Sequence, residues 1–182
     1  MTVDGRDQMT RAGRFLVLDW TNAYSKNLIE ADDTILGRAR AYYRGYQSLK
    51  HERTVTVYQD ERWLVEDKLT ARSRSERLYH LHWLLPDYEW KIEEQQAGVV
   101  LRLNSPLGWI TLSIHSYLIL HNSSFSLVRA GELIYGQREV QPYEGWVSHE
   151  YGRKSPVLSF AVEVKSVYNP TFTSEFIFPD SA

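Results

Sequence analysis

The sequence predicts an all-β protein, an antiparallel β-sandwich of two layers, and three observations carry that expectation. Aromatic residues are dense, with six Trp, twelve Tyr and six Phe among 182 residues, and many Val, Ile and Thr accompany them. Such side chains suit a pleated, half-buried surface better than a helix. Apolar and polar residues alternate with period two almost from end to end, as they do in strands with one buried face. Turn-forming residues break that alternation at short intervals, which fits many short strands in a sandwich rather than a doubly wound parallel sheet.

The elements follow in order. Met1-Thr2-Val3-Asp4-Gly5 reads as the tail of a strand entering an Asp-Gly turn. A domain rarely starts in mid-hairpin, so a fragment of a longer polypeptide is expected. Arg14 to Trp20 is the first full strand, after the Ala12-Gly13 break. Asn27 to Leu36 is expected to make a helical turn, too short and acidic to anchor a fold. Arg38 to Tyr46 and His51 to Tyr58 are strands, and Asp60-Glu61 turns the chain into Arg62 to Leu69, where Trp63, Val65, Asp67 and Leu69 share a face. The charged, Ser-rich stretch Ala71 to Glu76 reads as a solvated loop. Leu78 to Leu85 is a strand stopped by Pro86-Asp87.

Tyr88 to Gln95, Val99 to Asn104 and Trp109 to Ile114 predict a meander. Tyr117 to Leu120 and Phe125 to Ala130 flank a polar link. Gly136 to Ser155 is the longest irregular stretch, and long loops commonly contact partners. The strongest strands come late: Val157 to Val164 lines up Leu158, Phe160, Val162 and Val164, and Thr171 to Phe178 lines up Phe172, Phe176 and Phe178. Length and continuity predict one domain over residues 1–182.

Composition excludes several classes of function. A formal net charge of −2 gives no basic surplus for nucleic acid. The longest aliphatic and aromatic runs hold four residues, too few for a membrane-crossing helix or the apolar core of a secretory signal. Without cysteine there is no disulfide framework, Cys zinc site or thiol nucleophile. Gly-rich phosphate loops, paired His at helical spacing, nucleophile elbows and EF-hand loops are also missing.

Four features remain as candidate chemistry. Arg38, Arg40, Tyr42 and Arg44 alternate down one strand face, and a row of guanidinium groups with a phenol can hold carboxylates or sulfates of an acidic polymer. The bland reading is a solvated face whose Arg stems cover apolar surface. His80 and His82 share a strand face and so can grip one ion, or can be hydrogen-bonded to their neighbours beside Leu78 and Leu84. Glu66 and Asp67 are adjacent on a strand, face opposite ways and make no acid–base dyad. Trp146 and Tyr151 can stack on a sugar or pin the long loop to the core.

Three stretches together resemble the C-terminal region of the heparinase II/III family of polysaccharide lyases. One is Val3-Asp4-Gly5-Arg6-Asp7-Gln8-Met9 running into Gly13 to Trp20. The second is Gly45-Tyr46, His51 to Val55 and Trp63 to Leu69, ending at His82-Trp83-Leu84-Leu85-Pro86. The third is Gly145-Trp146-Val147-Ser148, Tyr151-Gly152 and Pro156 before the Leu158 strand. The resemblance implies that the chain is the β-sandwich of a protein with an α/α toroid upstream. It also implies β-elimination of uronic-acid polysaccharide, with most catalytic residues in the toroid and one His just before the Asp-Gly turn. No catalytic residue is therefore expected here, and the partners implied are an acidic polysaccharide and the toroid. Some relatives hold a structural metal through His, Asp and His; the resemblance places Asp19 and His51 as two of those ligands and so implies a zinc ion. The competing reading gives Asp19 a salt bridge and His51 a place at a ladder edge. For the whole chain, the alternative function is a free-standing module that binds acidic polysaccharide.

Overall fold

The computed structural model describes residues 1–13, 16–29, 33–45, 49–118 and 123–180, and every regular element among them is a strand. β1 (Thr2–Val3) runs into the Asp4-Gly5 turn, whose residues take φ of 52° and 68° while the Arg6 amide donates to the Val3 carbonyl at 3.0 Å. Asp and Gly tolerate this left-handed backbone, so the expected hairpin turn forms. β2 (Thr10–Arg11) and β3 (Val17–Leu18) pair as a small exposed ribbon. The strand expected over Arg14 to Trp20 thus shortens to two residues, with Arg14 and Phe15 outside the described ones.

β4 (Ala23–Ile29) and β5 (Ile35–Arg44) are antiparallel neighbours, so both ends of the helical turn expected over Asn27 to Leu36 are strand instead, while residues 30–32 of it lie outside the described ones. Its two ends lie in paired strands, and their ladder takes up backbone groups that a helix needs for itself. β6 (Lys50–Tyr58) and β7 (Arg62–Thr70) join through Asp60-Glu61 as expected. β8 (Arg77–Leu85) precedes the meander of β9 (Glu89–Gln95), β10 (Gly98–Ser105) and β11 (Gly108–His115). Tyr117 and Leu118 form a turn, and the rest of that expected strand is outside the described residues. β12 (Ser123–Arg129) and β13 (Glu132–Gly136) make a hairpin. The stretch read as irregular contains a ribbon, β14 (Trp146–Glu150) with β15 (Arg153–Pro156). β16 (Leu158–Ser166) and β17 (Thr171–Ile177) close the chain.

Two antiparallel layers result, ordered β1-β8-β16-β12-β13 and β4-β5-β6-β7-β17-β11-β10-β9. Leu81, Leu127, Phe160 and Val162 of the smaller layer pack against Leu69, Val99, Leu101, Leu112, Ile114 and Phe172 of the larger, all fully buried. Each such side chain contributes about 1.5–3 kcal/mol by leaving water. The layers differ by three strands, and Ala39 and Ala41 of β5 stay exposed on the face that, one strand inward, carries the buried His51. This overhanging end of the larger sheet is where the charged candidates gather.

Candidate functional site

Register fixes the direction of the basic row. Tyr43 lies opposite His51 and His51 opposite Leu69, all on the inner face, so Arg38, Arg40, Tyr42 and Arg44 project from the outer one. Arg38 is anchored at one point: its Nε donates to Thr56 Oγ1 at 2.8 Å and the Thr is buried beneath it, while its charge stays unpaired among the described residues. Tyr42 stacks on Tyr24 of β4 with ring centroids 5.4 Å apart, and the Lys50 ammonium sits 4.6 Å over the Tyr42 ring. Lys50 also pairs with Glu52 at 2.6 Å. That hydrogen bond, with the charges of Lys50, Arg40 and Lys68, holds the Glu52 carboxyl below its usual value against the opposing effect of burial. Arg40 and Arg44 are exposed and make no hydrogen bond or ion pair with any described residue. The row is therefore a braced tyrosine between guanidinium groups available to a ligand. Tyr24 and Lys50 belong to this face and no sequence spacing announces them, because they arrive from β4 and β6 through strand pairing.

At its Arg44 end the row opens into a cleft of about 690 Å³ between residues 6–11, 19–21 and 44–45. Asp19 stands on its wall with φ of 56°, and its Oδ2 accepts from Thr10 Oγ1 at 2.7 Å. Next to it Trp20 is 85% exposed, its indole Nε1 donating to the Val17 carbonyl at 2.8 Å. Sequence reading did not single out Trp20; an indole between Asp19 and Thr21 just past a strand end is the available signal.

His51 lies elsewhere in the scheme, on the inner face. Its Nε2 is 2.6 Å from Asp67 Oδ1, and Arg53 grips the same carboxylate with Nε at 2.7 Å and Nη2 at 2.9 Å. Asp67 is 0% exposed. Burial pushes its carboxyl up, but the hydrogen bonds from His51 and Arg53 and the Arg53 charge outweigh it, and the net displacement is downward. Tyr43 meets the His51 ring edge-on and Arg53 lies 5.0 Å over Trp83, so the ion pair is clamped by aromatics. Glu66 is exposed on the opposite face, as alternation predicts.

On the other layer His80 and His82 share a face with rings 6.2 Å apart. His80 Nδ1 is 2.9 Å from Glu163 Oε1 and His82 Nε2 is 2.8 Å from Ser159 Oγ, which matches the reading of satisfied strand histidines. Burial first, and the charge of His80 second, push the His82 imidazole down to about 4. Nearby, Arg138 ties Glu144 and Ser126 together and pins the loop before β14. Trp146 is half-buried with Lys154 over its ring at 3.9 Å, whereas Tyr151 is fully exposed at the ribbon tip.

The family model described as heparinase II/III-like, C-terminal, matches residues 1–175. The chain belongs to that family. Among solved structures it is similar to heparan sulfate lyase HepC from Pedobacter heparinus, with a TM-score of 0.60 and 18% identity over 87% of this chain and 22% of that one. A crystal structure described as heparinase III gives a TM-score of 0.56 and 13% identity, covering 87% of this chain and 22% of the other. At these identities the likeness establishes the fold, and the chain spans about a fifth of the length of these solved structures. No curated protein matches. The β-sandwich expected from alternation is therefore that of a heparinase II/III-like C-terminal domain.

The zinc ion implied by the resemblance meets a poor donor set in this domain. Asp19 engages Thr10 and His51 engages Asp67, and among the described residues no group of three His, Asp or Glu is placed to hold a metal ion. Asp19 makes a hydrogen bond rather than a salt bridge, and His51 sits within the eight-stranded sheet rather than at its edge.

Proposed function

We propose that this domain is the sandwich part of a lyase that cleaves uronic-acid polysaccharide by β-elimination, and that it walls the polymer-binding cleft beside a helical toroid encoded upstream. The observation that carries the reading is the uncommitted cationic face of β5 in a heparinase-like domain. Arg40 and Arg44 offer planar guanidinium forks that match carboxylate and sulfate geometry, while Tyr42 is held rigid between Tyr24 and Lys50. Arg38, oriented by its bond to Thr56, extends the row at its other end.

In the reaction, a base takes the proton from the carbon beside the uronate carboxylate. The electron pair forms the ring double bond as the glycosidic bond breaks, and an acid protonates the departing oxygen. Those proton-transferring groups belong to the upstream domain; this chain contributes binding, and neutralising carboxylates along the polymer favours the build-up of negative charge beside one of them.

The test compares the polypeptide encoded with its upstream region against the present chain, on heparan sulfate, heparin and alginate. Ultraviolet absorbance of unsaturated uronate should rise with the longer protein and stay flat with the shorter. No rise on any uronate polymer, or turnover by the short chain, overturns the proposal. In the longer protein Arg40→Ala should raise KM several-fold, an effect that shrinks as salt screens the contact.

A further inference from the structure

We infer that the cleft beside Arg44 is a sugar subsite in which Trp20 stacks on a pyranose ring while Arg11 and Arg44 pair with its carboxylate or sulfate groups. The inference rests on the reading of an acidic-polysaccharide domain and adds a place and an orientation to it.

A Trp side chain is among the largest apolar surfaces a protein can bury, and Trp20 stays 85% exposed. Its orientation is nonetheless fixed. The Nε1–H is donated to Val17, Asp19 turns the chain in a left-handed conformation next to it, and Thr10 anchors that Asp. Thr21 Oγ1 donates to the Gln8 carbonyl at 3.1 Å, which ties the Trp20 segment to the opposite wall. An exposed ring held by four side-chain and backbone constraints is pre-organised, so little rotamer freedom remains to be lost when a flat apolar surface lands on it.

Arg6, Arg11 and Arg44 line the cleft against Asp7 and Asp19, and the Asp19 carboxylate already accepts from Thr10. Arg11 and Arg44 have no hydrogen bond or ion pair among the described residues, so their forks are free to meet an anion. The cleft, at about 690 Å³, holds a ligand of one to a few sugar rings. Arg44 belongs both to this cleft and to the β5 row, so one chain of sugars can cross from Arg40 to Trp20 without leaving the surface.

The probes are oligosaccharides of heparin and of alginate, with a neutral maltose oligomer as control, titrated onto the full chain at low salt by calorimetry and by tryptophan fluorescence. Wild type should bind the acidic oligomers, ignore the neutral one and show a fluorescence change on binding. Trp20→Ala should weaken binding about tenfold and Trp20→Phe only slightly, since a ring remains to stack. In both variants the fluorescence change should vanish. Arg11→Ala and Arg44→Ala should each weaken binding about tenfold, with a smaller loss in high salt. If wild type binds no acidic oligomer, the underlying reading fails and the subsite with it. If wild type binds and Arg40→Ala weakens it while Trp20→Ala does not, the reading stands and the subsite is overturned. Unchanged affinity with a lower melting temperature of the longer polypeptide would overturn it too, by making Trp20 a contact between domains. All four side chains are exposed, so loss of folding is not expected, and melting curves of the variants check it.

Discussion

Replacing Asp67 by Asn tests whether the ion pair between the layers holds the overhanging end of the sheet in place. The carboxylate is fully buried and serves two partners, His51 at 2.6 Å and Arg53 through two nitrogens at 2.7 and 2.9 Å. Removing one member of a buried pair usually costs about 3–5 kcal/mol, because the abandoned charge stays desolvated. Arg53 is 35% exposed and can regain some water, and Asn keeps one acceptor, so about 2–3 kcal/mol is expected here. For a chain of this length that lowers the melting temperature by about 4–12 °C. Urea unfolding across a pH series reads the same interaction a second way. The folded Asp67 carboxyl is held below its usual value, so its contribution is complete above the unfolded carboxyl value of about 4 and drains away as pH falls toward the folded one. Wild type and Asp67→Asn should therefore converge in stability below about pH 4. Adding Arg53→Met to Asp67→Asn should recover part of the loss, since no guanidinium is then left unpaired. A single variant within about 0.5 kcal/mol of wild type at neutral pH, or a gap that persists undiminished into acid, would refute the reasoning.

Other outcomes follow from the same geometry. The His82 imidazole, depressed to about 4 by burial, binds its proton later in the folded than in the unfolded chain, so wild-type stability should fall as pH drops from about 6.5 toward 4. His82→Asn should flatten that interval, and an NMR titration of the ring that found an ordinary His value would count against it. Gly136 has φ of 89°, and a methyl there would overlap the Phe125 carbonyl oxygen, so Gly136→Ala should lose more than about 2 kcal/mol in urea unfolding; a neutral result would mean that the β12–β13 hairpin can shift. Tyr151→Ala at the exposed ribbon tip should leave both stability and acidic-oligosaccharide affinity unchanged, and a drop in affinity would assign that ribbon to the binding surface.

Alternation was readable where a strand has one wet and one dry side. β7 places Val65, Asp67 and Leu69 inside and Glu66 and Lys68 outside, as the period-two pattern predicts; β16 buries Leu158, Phe160, Val162 and Val164 as expected but Ser159 and Ala161 as well, because both its faces are covered there. It failed where burial does not dictate the strand. β4 pairs at the uncovered edge, so nothing in Ala23 to Ile29 needs to alternate, and its acidic continuation mimics a helical turn. The β14–β15 ribbon is held by its own ladder and by Ser148 Oγ, which lies 2.8 Å from the Glu150 and Arg153 carbonyl oxygens and shares its one hydrogen between them, contacts that leave no hydrophobic periodicity.

The same division runs through the site. The Arg row was legible because its members sit two apart on one strand, and backbone geometry alone puts them on one face. Which of them is anchored was not legible, because that depends on a neighbour across the ladder: Thr56 holds Arg38 by its Nε, whereas nothing among the described residues holds Arg40 or Arg44. The Trp20 cleft joins three segments up to 39 positions apart, and the Asp67 pair joins β6 to β7 across a turn. The pair, on β6 and β7, and the row, on β5, occupy opposite faces of the same sheet, with Arg53 facing inward between Glu52 and Thr54, which face outward. An inward ion pair that fixes β6 therefore also fixes the outward spacing of its β5 neighbour. Loss of Asp67 should on this account loosen the cationic face that touches no part of it, so Asp67→Asn should weaken acidic-oligosaccharide binding at temperatures well below its melting point. Wild-type affinity in a variant that has lost stability would separate the two faces and leave the buried pair a purely structural role.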